Sequence, residues 1–167
     1  ASAGSEDERT RRLSVVRNRS RPLADREIAL AEVLLAGDPA EHATVEVALA
    51  LHRRALGRHP EPEQSAASLV LFGIAYREQG TRQKSPDDLG RAVDLTRQAL
   101  ADPALPPERR AEVCSMLALA LTARFELGRD ARDLTEAVTV ARESAYADTD
   151  PGRYIRLSNL GLVLNTY

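Results

Sequence analysis

The chain has few aromatic residues and almost no thiols. Aromatic residues make up 4% of its 167 residues, tryptophan is absent, and Cys114 is the single cysteine. A lone cysteine excludes a disulfide within the chain. With so few rings, the core has to be built from alanine, leucine and valine, which suit closely packed helices better than sheets.

The sequence also lacks a charge excess and a long apolar run. Its 25 acidic and 23 basic residues leave a formal charge of -2, so the total does not mark a nucleic-acid or membrane-surface binder. No stretch approaches the roughly 18 uninterrupted apolar residues of a membrane span, and no apolar leader follows a basic stretch. We therefore predict a cytoplasmic protein.

Motifs that carry catalysis are missing from the sequence. It has no glycine-rich phosphate loop, no Gly-x-Ser-x-Gly elbow and no His-Glu-x-x-His pair. The histidines, His42, His52 and His59, lie far in sequence from Cys114 and lack the close spacing of zinc ligands. We predict no catalytic residues, no cofactor and no metal, and we interpret Cys114 as a small buried apolar residue.

Apolar residues recur at three- and four-residue spacing almost throughout, which is the pattern of one stripe of a helix. Alternation with a period of two is nowhere sustained. The predicted helices span about 24–36, 41–57, 63–79, 87–101, 107–127, 132–147 and 152–167.

Residues typical of helix ends and helix starts lie between these predicted helices. A glycine after each of four runs is predicted to take the left-handed closing conformation: Gly37, Gly57, Gly80 and Gly128. Three starts combine a capping oxygen with a proline in the first turn: Asp38-Pro39, Ser85-Pro86 and Asp150-Pro151. The recurrence of one start signal indicates a repeated unit.

Comparison of the sequence with itself supports the repeat. A shift of 45 positions places Phe72, Gly73, Ala75 and Tyr76 on Leu117, Ala118, Ala120 and Leu121. The same shift places Asp88, Leu89, Ala92, Val93, Leu95, Arg97 and Ala99 on Asp133, Leu134, Ala137, Val138, Val140, Arg142 and Ser144. A shift of 44 places Ala48, Leu51, Arg53, Ala55 and Leu56 on Ala92, Leu95, Arg97, Ala99 and Leu100. A shift of 43 places Ser115, Leu117, Ala118 and Leu121 on Ser158, Leu160, Gly161 and Leu164.

These segments resemble the tetratricopeptide repeat, in which two helices pair closely. The first-helix resemblance is carried by Leu157-Ser-Asn-Leu-Gly-Leu-Val-Leu164, Met116-Leu-Ala-Leu-Ala-Leu121 and Phe72-Gly-Ile-Ala-Tyr76. Small second-helix positions lie seven apart at Ala48 and Ala55, Ala92 and Ala99, and Ala137 and Ser144, with a proline near the exit at Pro60 and Pro103. The resemblance implies an all-α fold, a right-handed α-α superhelix of antiparallel helix pairs with about three and a half repeats.

The sequence departs from that family in two respects. Its unit is about 45 residues instead of 34, and the usual second-helix aromatic is replaced by His52, Thr96 or Ala141. The run from Arg124 to Val138 resembles the long repeats that precede CHAT domains, which are caspase-like modules of bacteria and fungi. This resemblance implies the regulatory repeat portion of a larger signalling protein, with any peptidase activity in a domain outside this chain.

The predicted domain organisation is an N-terminal segment, 1–22, followed by a repeat domain, 23–167, whose last repeat is incomplete. The last repeat has a first helix, 152–167, and no second helix to cover it, so we expect the chain to self-associate there. Segment 1–22 is predicted to be a basic arm or a capping helix. Its arginines and one beyond it are Arg9, Arg11, Arg12, Arg17, Arg19, Arg21 and Arg26, with no interleaved aromatics for base stacking.

Because first helices line the concave surface of a tetratricopeptide stack, the resemblance also implies a partner groove. Its residues map to Ala67, Val70, Ile74, Arg77, Ser115, Leu119, Thr122, Ser158, Leu162 and Asn165. The carboxylate clamp of some such domains is missing, and the apolar floor suits an extended peptide or an amphipathic helix. The predicted function is a protein-protein interaction scaffold. The alternatives are a regulatory domain that senses a peptide or small ligand, and nucleic-acid contact through the arginine-rich segment.

Overall fold

The computed structural model describes residues 3–36, 42–58, 64–103, 105–147 and 152–166. These residues form eight α-helices and no strand, which confirms the all-α prediction. The helices are α1 Ala3–Arg17, α2 Leu23–Leu35, α3 His42–Arg58, α4 Ala66–Gln83, α5 Pro86–Leu100, α6 Pro107–Gly128, α7 Ala131–Tyr146 and α8 Arg153–Thr166. The seven predicted helices correspond to α2–α8 within a few residues at each end.

The chain divides into two compact units, Ala1–Gln64 and Ser65–Tyr167. In the first unit, α2 packs against both α1 and α3. Glu27 of α2 is buried and accepts hydrogen bonds from Arg54 Nε at 2.6 Å and Arg58 at 3.3 Å, both on α3. A buried carboxylate needs such partners, so this cluster fixes the rotation of α2 against α3.

In the second unit, α4 packs on α5 and α6 packs on α7. The first helices of these pairs are α4 and α6, and the second helices are α5 and α7. The two pairs are joined because α6 contacts both α4 and α5. The last helix, α8, packs on both α6 and α7. First helices therefore lie side by side in this unit.

The two pairs of the second unit use the same register. Phe72 of α4 is 0% exposed, and its equivalent on α6, Leu117, is 2% exposed. Four residues further on, Tyr76 is 1% exposed and its equivalent, Leu121, is 0% exposed. On the second helices, the small residues predicted to lie seven apart are all buried: Ala92, Ala99, Ala137 and Ser144. In the first unit, Ala48 and Ala55 are buried as well. Each apolar stripe therefore lies against a neighbour, as the repeat predicted.

Close helix approach explains two glycines of α4. A Cβ on Gly73 would lie 2.9 Å from Thr96 Oγ1 and 3.5 Å from the Ala92 carbonyl oxygen of α5. A Cβ on Gly80 would lie 2.9 Å from the Leu89 side chain and 3.0 Å from its amide nitrogen. Any larger side chain would push α4 and α5 apart.

The prediction that glycines end the helices in the left-handed conformation is wrong at the three positions that the structure describes, Gly57, Gly80 and Gly128. Gly57 and Gly80 lie inside α3 and α4, and Gly128 is the last residue of α6. Left-handed conformations occur instead at Lys84, with φ 53°, and at Arg129, with φ 58°. Gly80 is needed for packing and not for a turn, so the left-handed residue that ends α4 is Lys84, four positions later. Gly37 lies outside the described residues.

The two connections are equivalent in the repeat. Lys84 N–H donates to the Gly80 carbonyl and Arg129 N–H donates to the Phe125 carbonyl, 45 positions later. Each is followed by a capping residue: Ser85 Oγ accepts from Asp88 N–H, and Asp130 accepts from Arg132 N–H. Ser85-Pro86 is thus confirmed as a helix start. The other two predicted starts, Asp38-Pro39 and Asp150-Pro151, lie outside the described residues.

Candidate functional site

A depression of about 330 Å³ lies where the first helices of the second unit meet. Residues of α4, α6 and α8 line it, together with Gly152 directly before α8. Its apolar lining residues are Ile74, Met116, Leu119 and Ile155. Its polar lining residues are Arg77, Glu112, Ser115, Arg156 and Asn159.

The apolar floor continues into the core. Ile74 and Met116 pack against a buried cluster of Val70, Ala99 and Val113. Ile155, by contrast, is 50% exposed. The surface therefore rests on a rigid base, and at α8 it presents an apolar side chain that a ligand can cover.

Two hydrogen bonds from side chains of α8 hold this helix in place at its side of the depression. Asn159 Nδ2 donates to Ser115 Oγ at 2.9 Å, which joins α8 to α6. Arg156 is 3% exposed, and its Nε donates to the Ser144 carbonyl of α7 at 2.9 Å. Ser144 Oγ in turn donates to the Ala111 carbonyl of α6 at 2.6 Å. The three helices are thereby linked beside the depression.

The same kind of arginine contact sets α6 on α5. Arg110 donates to the Leu100 carbonyl at 2.8 Å and to the Asp102 carbonyl at 3.1 Å. Leu100 is the last residue of α5, where backbone carbonyls lack a partner within the helix and carry the negative end of its dipole. An arginine near the start of each following first helix therefore docks that helix on the preceding pair.

Charges of both signs flank the floor. Arg77 lies 3.6 Å from Glu78, and Glu112 pairs with Arg109 at 2.8 Å. Arg77 and Glu112 line the depression while their partners do not. A mixed lining of this kind can orient a peptide through its backbone amides or through side chains of either charge.

The structure distributes the ten sequence-predicted groove residues over three environments. Ile74, Arg77, Ser115 and Leu119 line the depression. Val70 and Thr122 are buried, and the Thr122 hydroxyl donates to the Ala118 carbonyl at 2.8 Å. Ala67, Ser158, Leu162 and Asn165 are exposed and lie outside the depression lining.

Sequence reasoning missed six lining residues: Glu112, Met116, Gly152, Ile155, Arg156 and Asn159. Ile155 stands 43 positions after Glu112, so the repeat shift relates these two across α6 and α8. Glu112 is itself 45 positions after Ala67, a predicted groove residue, so the repeat could have placed both Glu112 and Ile155 in the groove. The shift of 43 also relates Asn159 to Met116, whereas the contribution of Arg156 depends on the rotation of α8, which no local pattern fixes.

The arginine-rich segment is largely helical and lies in the first unit. Arg12 of α1 is 3.0 Å from Glu8 and 3.3 Å from Glu32 of α2, and Arg26 Nε donates to the Val16 carbonyl. A depression of about 220 Å³ there is lined by Arg11, Arg12 and Arg21, but also by Glu8, Asp25 and Glu32. Alternating charges of this kind hold α1 on α2 and weaken the field that an anionic polymer needs.

His52 and Cys114 are both buried. His52 occupies the position equivalent to Thr96 and Ala141, and its Nε2 lies 3.1 Å from Gln64 Nε2. Among the described residues, no group of three or more histidine, cysteine, aspartate and glutamate side chains lies close enough to hold a metal ion.

Cys114 should be protected from alkylation. Burial, with a smaller contribution from Glu143, raises its pKa above the ordinary 9.0. At pH 8 we expect iodoacetamide to react at least about tenfold more slowly with the native protein than with the urea-unfolded chain. Because the unfolded thiol ionises first, the unfolding free energy should fall as pH rises above about 9. Equal alkylation rates for native and unfolded protein would contradict the buried placement.

Within the part of the chain that the structure describes, no helix combines the length and the apolar character needed to cross a membrane. No protein-family model, curated protein or solved structure matches the chain.

Proposed function

We propose that the second unit is a protein-binding module that takes a peptide or a helix of a partner in the depression between α4, α6 and α8. The observation that carries this proposal is the partly exposed apolar floor of Ile74, Leu119 and Ile155, with Arg77 and Glu112 beside it. Apolar pockets with a few polar groups at the edge are typical of helix-in-groove and extended-peptide recognition.

The stacked helix pairs support an interaction role. Equivalent residues are buried in both pairs, and arginine contacts at Leu100 and Ser144 join each pair to the next first helix. We interpret the unit as part of a tetratricopeptide-like superhelix, in which first helices form the recognition surface and stability accumulates between neighbours. The proposed module has no catalytic role.

A displayed library of random 15-residue peptides, selected on the intact chain, tests the proposal. We expect enriched peptides to lose at least about tenfold in affinity for an Ile155→Glu variant, because a carboxylate would be buried against the apolar floor. Ile155 is half exposed, so this substitution should leave the fold intact. Tyr146→Glu, at a 69% exposed position of α7, is the matched control and should bind normally.

Leu162→Glu separates the observed depression from the surface that the sequence predicted. Leu162 is 59% exposed on α8 and does not line the depression, so its variant should bind the selected peptides as the wild type does. Failure to enrich any peptide, or equal affinity for the Ile155→Glu variant, would overturn the proposal.

A further inference from the structure

The depression of the second unit has a sulfur-containing side chain in its floor. Met116 is the single methionine of the chain, and it lies on α6 among the apolar lining residues. It is partly buried and packs against the cluster of Val70, Ala99 and Val113. Because α6 contacts α4, α5, α7 and α8, it has helix neighbours on both sides in the stack. The partial exposure of Met116 is therefore a property of the packed stack and not of its last helix.

The two sulfur atoms of the chain lie in different environments on α6. Cys114, two positions before Met116, is 8% exposed, and burial raises the pKa of its thiol. Since the thiolate is the form that oxidants attack, Cys114 is protected both by its protonation and by its neighbours. A thioether has no proton to lose, so Met116 needs only access to its sulfur. Oxidation of the folded chain should therefore begin at Met116.

The repeat shows that the register position of Met116 accepts a polar side chain. A shift of 45 relates Met116 to Leu71 of α4, and a shift of 43 relates it to Asn159 of α8. All three side chains are partly buried. Asn159 lines the depression and donates from Nδ2 to Ser115 Oγ at 2.9 Å. A methionine sulfoxide, whose oxygen accepts hydrogen bonds, is therefore compatible with the fold at this position.

Oxidation by hydrogen peroxide would add one oxygen atom to the floor of the depression. A lone pair of the Met116 sulfur attacks one peroxide oxygen, the O–O bond breaks and an S–O bond forms. The proton on the transferred oxygen passes to the departing hydroxide, which leaves as water. Sulfur loses two electrons and peroxide gains them, so the step balances without another reactant. The apolar side chain becomes a polar one, and an apolar partner side chain that covered it would strip the new oxygen of its water.

We propose that Met116 is a reversible oxidation site at which hydrogen peroxide turns off binding in the depression. The inference rests on the proposed function for the identity of the ligand, whereas the oxidation itself is measured on the chain alone. Methionine sulfoxide reductases return the sulfoxide to the thioether with electrons from a thiol, which makes the change reversible.

The first measurement follows oxidation of the intact chain by peptide mass spectrometry. In hydrogen peroxide at pH 7, Met116 should gain one oxygen at a rate within about tenfold of that in the urea-unfolded chain, because it is partly exposed. Cys114 should keep its thiol over the same time, which iodoacetamide labelling after unfolding checks. A larger protection of native Met116, or oxidation of Cys114 first, would overturn the proposal.

The second measurement compares the affinity of a peptide from the displayed library before and after oxidation of the chain. We expect at least about a tenfold loss, and recovery after treatment with the two methionine sulfoxide reductases, one for each epimer. Met116→Leu is the matched control, since leucine already occupies this register position as Leu71. That variant should bind the peptide and lose no affinity in peroxide. Met116→Gln should bind weakly without peroxide, and circular dichroism checks that both variants fold.

The outcomes distinguish this proposal from the proposed function. Unchanged affinity of the oxidised chain would overturn the switch and leave the proposed function intact. An equal loss of affinity in peroxide-treated Met116→Leu would place the sensitive group elsewhere and overturn the switch as well. Failure to select any peptide would overturn both, while the oxidation rate of Met116 would still be established by mass spectrometry.

Discussion

Replacement of Gly73 by leucine should lower the unfolding free energy of the second unit by about 3 kcal/mol, the upper end of the usual effect of overpacking. A Cβ at this position would already lie 2.9 Å from Thr96 Oγ1, whose hydroxyl donates to the Ala92 carbonyl at 2.6 Å. The side chain has no free space to enter, so α4 and α5 must separate. Urea denaturation followed by circular dichroism measures the loss.

Gly161→Leu is the control for that result, because Gly161 is the repeat equivalent of Gly73 on α8. It has open space around it, and leucine is favoured over glycine in a helix by up to about 1 kcal/mol. We expect unchanged or slightly higher stability. If the two variants were destabilised alike, the register that relates α4 to α8 would be wrong.

Arg124→Ala should destabilise the second unit by about 3 kcal/mol. Arg124 donates to both carboxylate oxygens of Asp133, at 2.8 and 2.6 Å, and Asp133 is 6% exposed. The Asp133 hydrogen bond also raises the pKa of the Arg124 guanidinium. Removing the arginine leaves a buried carboxylate without this partner, which is the costly way to break an ion pair. Thermal and urea unfolding measure the effect.

The repeat supplies a matched comparison for Arg124. Gln79 stands 45 positions earlier and donates to Asp88, the equivalent of Asp133, in a single 3.3 Å hydrogen bond. Gln79→Ala should therefore destabilise by about 1 kcal/mol. The double variant Arg124→Ala, Asp133→Ala should recover part of the loss, because it removes the carboxylate as well. An Arg124→Ala effect no larger than that of Gln79→Ala would contradict this account of the pair.

The helices were predictable because their signals are local. The three-and-four spacing marked α2–α8, and Ser85-Pro86 marked the start of α5. The shift of 45 also predicted which residues are buried, since equivalent stripes meet equivalent neighbours. Segment 1–22 remained ambiguous because its apolar edge is thin, and ion pairs such as Arg12 with Glu32 help to hold α1 on α2.

Turn conformations and the depression lining depend on tertiary contacts instead. Gly80 looked like a closing residue, but its lack of a side chain serves packing against Leu89, and Lys84 takes the left-handed turn. Likewise, Asn159 lines the depression beside Ser115 because the hydrogen bond between them helps to set the rotation of α8. Neighbouring stripes of a helix differ by a single residue position, so sequence spacing alone did not distinguish them.

Methyl NMR of a selected peptide bound to the intact chain tests the binding account most directly. We expect shifts and intermolecular contacts at Ile74, Leu119 and Ile155, with none at Val47, an exposed residue of the first unit. Peptide contacts confined to the first unit, or an absence of change at those three residues, would contradict the central claim that the first helices of the second unit form the binding surface.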